Sequence, residues 1–283
     1  MPSIYVDNRG MLPKRKPHDL YPTQRALIRA GLPFALNYVY YMNAYRQRPF
    51  RILDLGAGDG RWGEAAASYF RQYFSQVELT GVEIRDVPKP AAFNYWHVGD
   101  ALTWEPPAYR YDIVAGNPPF DVATELIYLA HKVSMGNVLF LLPRDFGGSS
   151  GRYAGLQIDH PVFVENVSAR RPSFTGDNGT GGTVYSLWHW VADQGVPHQW
   201  MTRTFDWETD PADVDPVAMA LRQIRQKAKR ESKKPGALAY AALLASYYRC
   251  PPVQPDPATP EVMNRFQIEL DALLNDLEET EHV

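Results

Sequence analysis

The sequence is nearly devoid of cysteine: Cys250 is the only one in 283 residues. An internal disulfide cannot form, and a zinc site built from four thiolates is excluded. The seven histidines are scattered and never fall at metal-ligand spacing, so no metal is expected. Charge of either sign is not in excess, with a formal net charge of -3. Attraction to a polyanion must therefore come from local patches rather than from the whole molecule. Long hydrophobic runs are missing too, and none approaches the length of a membrane span. The start, "MPSIYVDNRGMLPKRKPHDL", is polar and lacks the apolar core of a signal peptide. These absences predict a reduced, soluble, cytoplasmic protein with no membrane contact.

What is present is a core and a rhythm. Hydrophobic residues make up 45% of the chain, enough for one sizeable domain with a small extension. Residues 1–20 read as a flexible arm carrying the basic cluster "PKRKPH" (Pro13 to His18). A helical pattern starts at Thr23, and Pro33 breaks or kinks it. Strands and helices then alternate: "FRILDL", the helix "RWGEAAASYFRQYF", "QVELTGVEI", "YWHVGD", "YDIVAG", the helix "ATELIYLAHKV", "NVLFLLP", "PVFVENVSA" and "TVYSLWHWV". Alternation of this size predicts an α/β fold, a Rossmann-like, doubly wound, parallel sheet of seven strands. The domain is placed at 21–195. Residues 196–283 change texture to a polar, turn-rich stretch and then helices separated by the proline-rich "PPVQPDPATP", and read as a mostly helical extension that contacts nucleic acid or a partner.

The turn "LDLGAGDG" follows the first strand and opens a helix. Its glycines allow a tight backbone and close approach of a ligand. The G-x-G-x-G spacing departs from the dinucleotide fingerprint G-x-G-x-x-G, and Asp54 just ahead of it disfavours a diphosphate. A cationic ligand without phosphate suits it better, and S-adenosylmethionine is one. Glu83, ending the second strand, can accept from both hydroxyls of a ribose. Asp100, ending the third, can accept from an adenine amino group. All three acids fall at the carboxyl ends of successive strands, where open α/β sheets bind ligands. An NAD-type domain with coincident acids is the competing reading.

The fourth strand delivers "AGNPPF" to the same edge. An amino group conjugated to a ring is a poor nucleophile because its lone pair is delocalised. The Asn117 side-chain carbonyl and the Pro118 main-chain carbonyl can each accept one of its hydrogens. Two acceptors draw the nitrogen toward tetrahedral geometry and aim its lone pair at an incoming methyl group. Pro118 and Pro119 stiffen the loop, and Phe120 offers a flat face to the target ring. Rate would come from alignment and fixed dipoles, not from a strong base. A proline turn with a buried phenylalanine is the plainer alternative.

The succession "LDLGAGDG", "GVEI", "GD", "NPPF" resembles the class I S-adenosylmethionine-dependent methyltransferases that modify exocyclic amino groups. It is most similar to small phage and prophage DNA N6-adenine methyltransferases, sharing Trp62 after the glycine turn and the segment "RPSFTGDNGTGGTVYSLWHW". The likeness covers roughly Tyr21 to Val191. It implies that Asp54, Gly56 and Gly58, with Ala57, hold the amino acid end of the cofactor. By the same resemblance Glu83 and Ile84 take its ribose and Asp100 and Ala101 its adenine, and Asn117 adjoins it. "YPTQ" resembles the element that contributes Thr23 in such enzymes, although Gln24 stands where proline is commoner. Phe174 stands where a second aromatic would meet a flipped base, and is equally readable as a core residue.

The implied activity is methyl transfer to adenine N6 in DNA, most simply double-stranded, after base flipping. RNA amino groups and a catalytically silent nucleic-acid-binding module are the alternatives. One departure matters: a target-recognition domain of substantial size is not evident, so sequence reading falls to the extension, a second copy or a restriction-system partner. Arg171, Lys227, Lys229 and Arg230 are the candidate phosphate contacts. The last three lie in "LRQIRQKAKRESKK", seven basic residues against one Glu, a run that a solvated helix face also carries.

Overall fold

The computed structural model describes residues 21–36, 48–135, 137–175, 182–191, 201–231, 237–249 and 251–280. The arm at 1–20, with its basic cluster, lies outside them. The chain divides into two compact units: 17–172 with 181–210, and 1–16 with 173–180 and 211–283.

The first unit is built on one sheet. Its strands are β1 (Phe50–Leu55), β2 (Val77–Glu83), β3 (Tyr95–Val98), β4 (Ile113–Gly116), β5 (Asn137–Pro143), β6 (Val164–Ser168), β7 (Tyr185–Val191) and β8 (Met201–Phe205). They lie in the order β3-β2-β1-β4-β5-β7-β6-β8. Strands β1 to β5 are parallel, in registers such as Leu53 opposite both Thr80 and Val114. β1 is buried at every position but Arg51, and β5 at every position but Pro143. Both faces of the sheet are thus covered, which is why these strands read as unbroken apolar runs.

Two expectations are corrected. The sheet is mixed, not wholly parallel, because β7 runs antiparallel to both β5 and β6. Among the described residues it has eight strands, not seven: β8 pairs parallel with β6 and carries the sheet to Phe205, past the boundary placed at 195. In "MTRTF", Thr202, Arg203 and Thr204 are exposed, so an edge strand here carries no apolar run to announce it.

Helix α1 (Arg25–Gly31) stops where expected. Leu32 donates to the Ile28 carbonyl, and Pro33, which has no N–H, opens the helical residues 33–36. Helix α2 (Arg61–Phe70) buries Trp62, Ala66, Ala67 and Phe70. It ends four residues earlier than its apolar pattern suggested, at a turn that leaves Tyr73 exposed. Helix α3 (Ala123–Val133) buries Ala123, Ile127 and Ala130 in the main core with β5 residues Val138 and Phe140. Two short helices, α4 (Ser150–Ala154) and α5 (Leu156–Asp159), precede β6.

At the opposite end of the sheet from the candidate site, Asp112 is fully buried. It accepts two hydrogen bonds from the Arg48 guanidinium, at 2.7 and 2.5 Å, and one from the Arg51 N–H at 2.8 Å. The bond to Arg51 joins the β4 entry to β1. Asp112→Ala is expected to lower unfolding free energy by about 3 kcal/mol, the low end for a broken buried pair because Arg48 retains partial solvent access. Urea unfolding of the two proteins measures it.

The second unit has three long helices, α6 (Pro216–Glu231), α7 (Ala237–Arg249) and α8 (Pro260–Thr280). They share a small core that includes Val217, Ile224, Leu244, Tyr248, Phe266 and Leu270. Asp215 caps α6 by accepting from Val217 and Ala218 and also pairs with Arg265 of α8.

Candidate functional site

The parallel strands end on one rim of the sheet. Asp54 lies near the end of β1, Glu83 closes β2, Asp100 stands two residues past β3, and Asn117 directly follows β4. Because β7 is reversed, its first residue, Tyr185, sits opposite Pro143 at the end of β5 and so on the same rim.

The glycine turn is held from below: Gly56 and Ala57 both donate to the Val82 carbonyl, at 2.9 and 3.0 Å. Gly56 and Gly58 have φ of +69° and +64°, a region that side chains resist. A Cβ on Gly56 would also stand 3.3 Å from Pro119 Cδ, so this turn and the proline loop touch. Ala57 is buried. Gly60 is open for a different reason from the one expected of a ligand turn: its missing Cβ makes room for Phe93 and Pro90.

Asp54 is almost wholly buried. Its Oδ2 accepts from the Gly63 N–H in α2 at 2.8 Å, while Oδ1 is buried without a hydrogen-bond partner. Gly116 faces that oxygen, and a Cβ there would come within 3.0 Å of it. Burial pushes the Asp54 carboxyl up to about 8, against the Gly63 hydrogen bond that lowers it, and Asp59 and Glu83 add to the rise. The sign follows directly. Between the unfolded value of 3.8 and about 8 the folded chain keeps a proton that the unfolded chain releases. Stability contributed by this site is therefore complete below 3.8 and is lost as pH rises toward 8. Asp54→Asn is expected to flatten that pH dependence, as read from melting temperatures across pH 4 to 9.

Glu83 is buried, with both oxygens engaged. Oε2 accepts from the Gly58 N–H at 2.6 Å, and Oε1 accepts from the Arg85 N–H and Nε at 3.0 and 2.7 Å. A carboxylate has about four acceptor positions, so it can serve a further donor. Ile84 next to it is exposed. Asp100 is exposed and caps its own turn through Leu102 at 2.9 Å, and Ala101 packs half-buried on the core.

Asn117 is the centre of the rim. Its Nδ2 donates to the Tyr21 main-chain carbonyl at 3.2 Å, and its Oδ1 is buried without a hydrogen-bond partner. Pro118 is buried and Pro119 exposed, and the Pro119 carbonyl accepts from Val122. Phe120 is half-buried, with its ring 5.9 Å from that of Tyr185. Thr23 is buried and accepts from Trp62 Nε1 at 3.0 Å.

Not every candidate gathers here. Arg171 is exposed in the sheet unit. Phe174 belongs to the other unit. Lys227 and Arg230 are exposed on α6, with Lys227 5.9 Å from the Tyr247 ring, and the Lys229 side chain lies outside the described residues. Sequence reasoning missed Tyr185, the Tyr21 carbonyl and the need for Gly116. A strand's direction is not written in its apolar pattern, and a main-chain carbonyl has no residue type to recognise.

The chain resembles, at 15% identity and a TM-score of 0.50, a Listeria monocytogenes protein assigned to the class I S-adenosylmethionine-dependent methyltransferases, over 72% of this chain and 71% of that one. The fold is the class I methyltransferase fold. Other solved structures that it matches include the methyltransferase subunit of a type I restriction-modification system from Streptococcus thermophilus, 14% identical over 72% of this chain and 53% of that one, TM-score 0.49. Another is the magnesium protoporphyrin IX methyltransferase of Synechocystis, 14% identical over 58% and 80%, TM-score 0.35. No protein-family model matches the sequence, and comparison with curated proteins found no match. The class I fold differs from the 3-2-1-4-5-6 dinucleotide order by the reversed β7 between β5 and β6, which disfavours the NAD reading. Among the described residues there is no cluster of metal-ligating side chains and no helix long and apolar enough to cross a membrane.

Proposed function

We propose that this chain transfers a methyl group from S-adenosylmethionine to the N6 amino group of adenine in DNA. The observation that carries the reading is Asn117: a buried amide oxygen without a partner, on the rim, with its nitrogen already committed to Tyr21. An acceptor in that state is set up to receive an N–H.

The residues present fit the cofactor. The buried Asp54 Oδ1 lacks a partner, Glu83 has acceptor capacity for ribose hydroxyls, and the exposed Asp100 can accept from an adenine amino group. A cation near Asp54 would favour its ionised form, so cofactor binding releases a proton. Bound there, S-adenosylmethionine would supply an electrophilic methyl carbon whose bond to sulfur breaks as the N–C bond forms, leaving S-adenosylhomocysteine, and the methylated nitrogen would lose one proton to solvent. Asn117 Oδ1 accepts one N6 hydrogen and the Pro118 carbonyl the other, which localises the nitrogen lone pair. Phe120 and Tyr185 provide an aromatic wall for the ring. Adenine N6 is inaccessible in a stacked duplex, so the base is flipped out. Lys227 and Arg230, exposed on α6, and Arg171, exposed in the sheet unit, are the candidate phosphate contacts, each within its own unit.

The test is transfer of label from S-adenosylmethionine to unmethylated double-stranded DNA, with total RNA in parallel, followed by nucleoside mass analysis. N6-methyladenine in DNA is the expected product. Label in RNA alone overturns the substrate, and bound cofactor with no label in either overturns the proposed nucleic-acid activity.

A further inference from the structure

The segment Tyr21–Gln24 makes a chain of bonds that the proposed chemistry has not used. Asn117 Nδ2 donates to the Tyr21 carbonyl at 3.2 Å. Two residues on, Thr23 is held at both its side chain and its main chain. Its Oγ1 accepts from Trp62 Nε1 at 3.0 Å, and its carbonyl accepts from Arg61 Nη1 at 3.2 Å. Arg25 pairs with Glu64 at 3.5 Å. Arg61, Trp62 and Glu64 all belong to the first turn of α2, which opens directly from the glycine turn. Thr23 and Gln24 are buried, so the segment is packed in place.

A side-chain amide has two ends of nearly equal shape and opposite hydrogen-bonding character. Rotated by half a turn, Asn117 would present an NH2 group to the target amino group, and two donors would face each other. The terminal torsion of asparagine is soft and roughly two-fold, so the backbone of β4 does not decide which end faces inward. The Tyr21 carbonyl does decide it, because only the NH2 end can bond to it.

We propose that Tyr21–Gln24 is a positioning strap, clamped to the first turn of α2 through Trp62 and Thr23, which fixes the catalytic amide with its oxygen toward the substrate. The proposal rests on the reading of Asn117 Oδ1 as the acceptor for the target amino group. It assigns Trp62 and Thr23 a part in transfer without contact to the reacting atoms. It also ties the cofactor turn to the orientation of the substrate acceptor through one short helix start.

The test uses the full-length chain labelled with 15N-asparagine. The Asn117 side-chain NH2 resonances are identified by their loss in Asn117→Ala. Trp62→Phe removes the donor to Thr23 and is expected to move those resonances toward the position of a solvent-exposed amide. Single-turnover transfer to unmethylated double-stranded DNA should slow by about ten- to a hundredfold, as for a slightly misplaced reacting group. The Kd for S-adenosylmethionine should change less than about twofold, the pattern of an interaction used in the chemical step. Thr23→Val, nearly isosteric and lacking the acceptor, should do the same and decides the matter if Trp62→Phe does not fold. Unmoved resonances in the folded variants overturn the strap. So does a loss of cofactor affinity equal to the loss of rate, since Thr23 then acts through the cofactor alone. If the wild-type chain methylates neither DNA nor RNA, the proposed activity fails, while the amide resonances still report whether the strap sets the orientation.

Discussion

Asn117→Ala is expected to reduce methyl transfer on the order of a thousandfold, comparable to removing one preorganised dipole from other active sites. Cofactor affinity should stay within about twofold of wild type, the signature of an interaction made in the chemical step. The reasoning is local. Asn117 Oδ1 is buried and without a hydrogen-bond partner among the described residues, and its Nδ2 donates to the Tyr21 carbonyl. Alanine deletes the acceptor and the bond to that carbonyl, but it leaves Asp54, Glu83 and the glycine turn as they are. Single-turnover kinetics and calorimetric titration with S-adenosylmethionine, run on the same preparations, separate the two effects. Transfer at the wild-type rate in this variant would remove Asn117 from the chemistry.

Glu83→Ala is expected to act the opposite way, weakening S-adenosylmethionine by about a hundredfold, the scale of losing two hydrogen bonds to a charged acceptor. Glu83 is buried at the end of β2 and already organises the site. It accepts from Gly58 inside the glycine turn and from Arg85 beside it. Its loss removes the ribose acceptor and the bond that fixes Gly58 together. At saturating cofactor, the rate of the chemical step should recover much of its wild-type value. Calorimetric titration checks the first half of the expectation and single-turnover kinetics the second. Unchanged affinity would take the ribose away from Glu83.

The two substitutions mark what could and could not be read from the chain. The positions of the acids were legible because β1 and β2 are buried on both faces, so their apolar runs end sharply and display Asp54 and Glu83 at the ends. The strands that failed to announce themselves, or announced only half their nature, did so for physical reasons. β8 lies at an edge and exposes Thr202, Arg203 and Thr204, and its pairing with β6 is a matter of the backbone. β7 was visible as a strand, but the apolar pattern of "YSLWHWV" does not encode which way the strand runs. The orientation of Asn117 could not be foreseen, because it depends on a carbonyl ninety-six positions away. Gly116 looks like an ordinary residue ahead of a proline loop until Asp54 Oδ1 is found against it.

The reversal of β7 has a consequence for how such a chain can change its target. β6 ends and β7 begins on the rim where Asn117 lies, with Val167 opposite Ser186. The connection between them starts and finishes at that rim, so its length is not tied to the thickness of the sheet. The residues proposed to hold the cofactor and the amino group all lie before position 121, whereas the connection from β6 to β7 lies after 168. Insertions there leave every strand register untouched. Substitutions in that connection can therefore accumulate without touching the residues proposed for the chemistry.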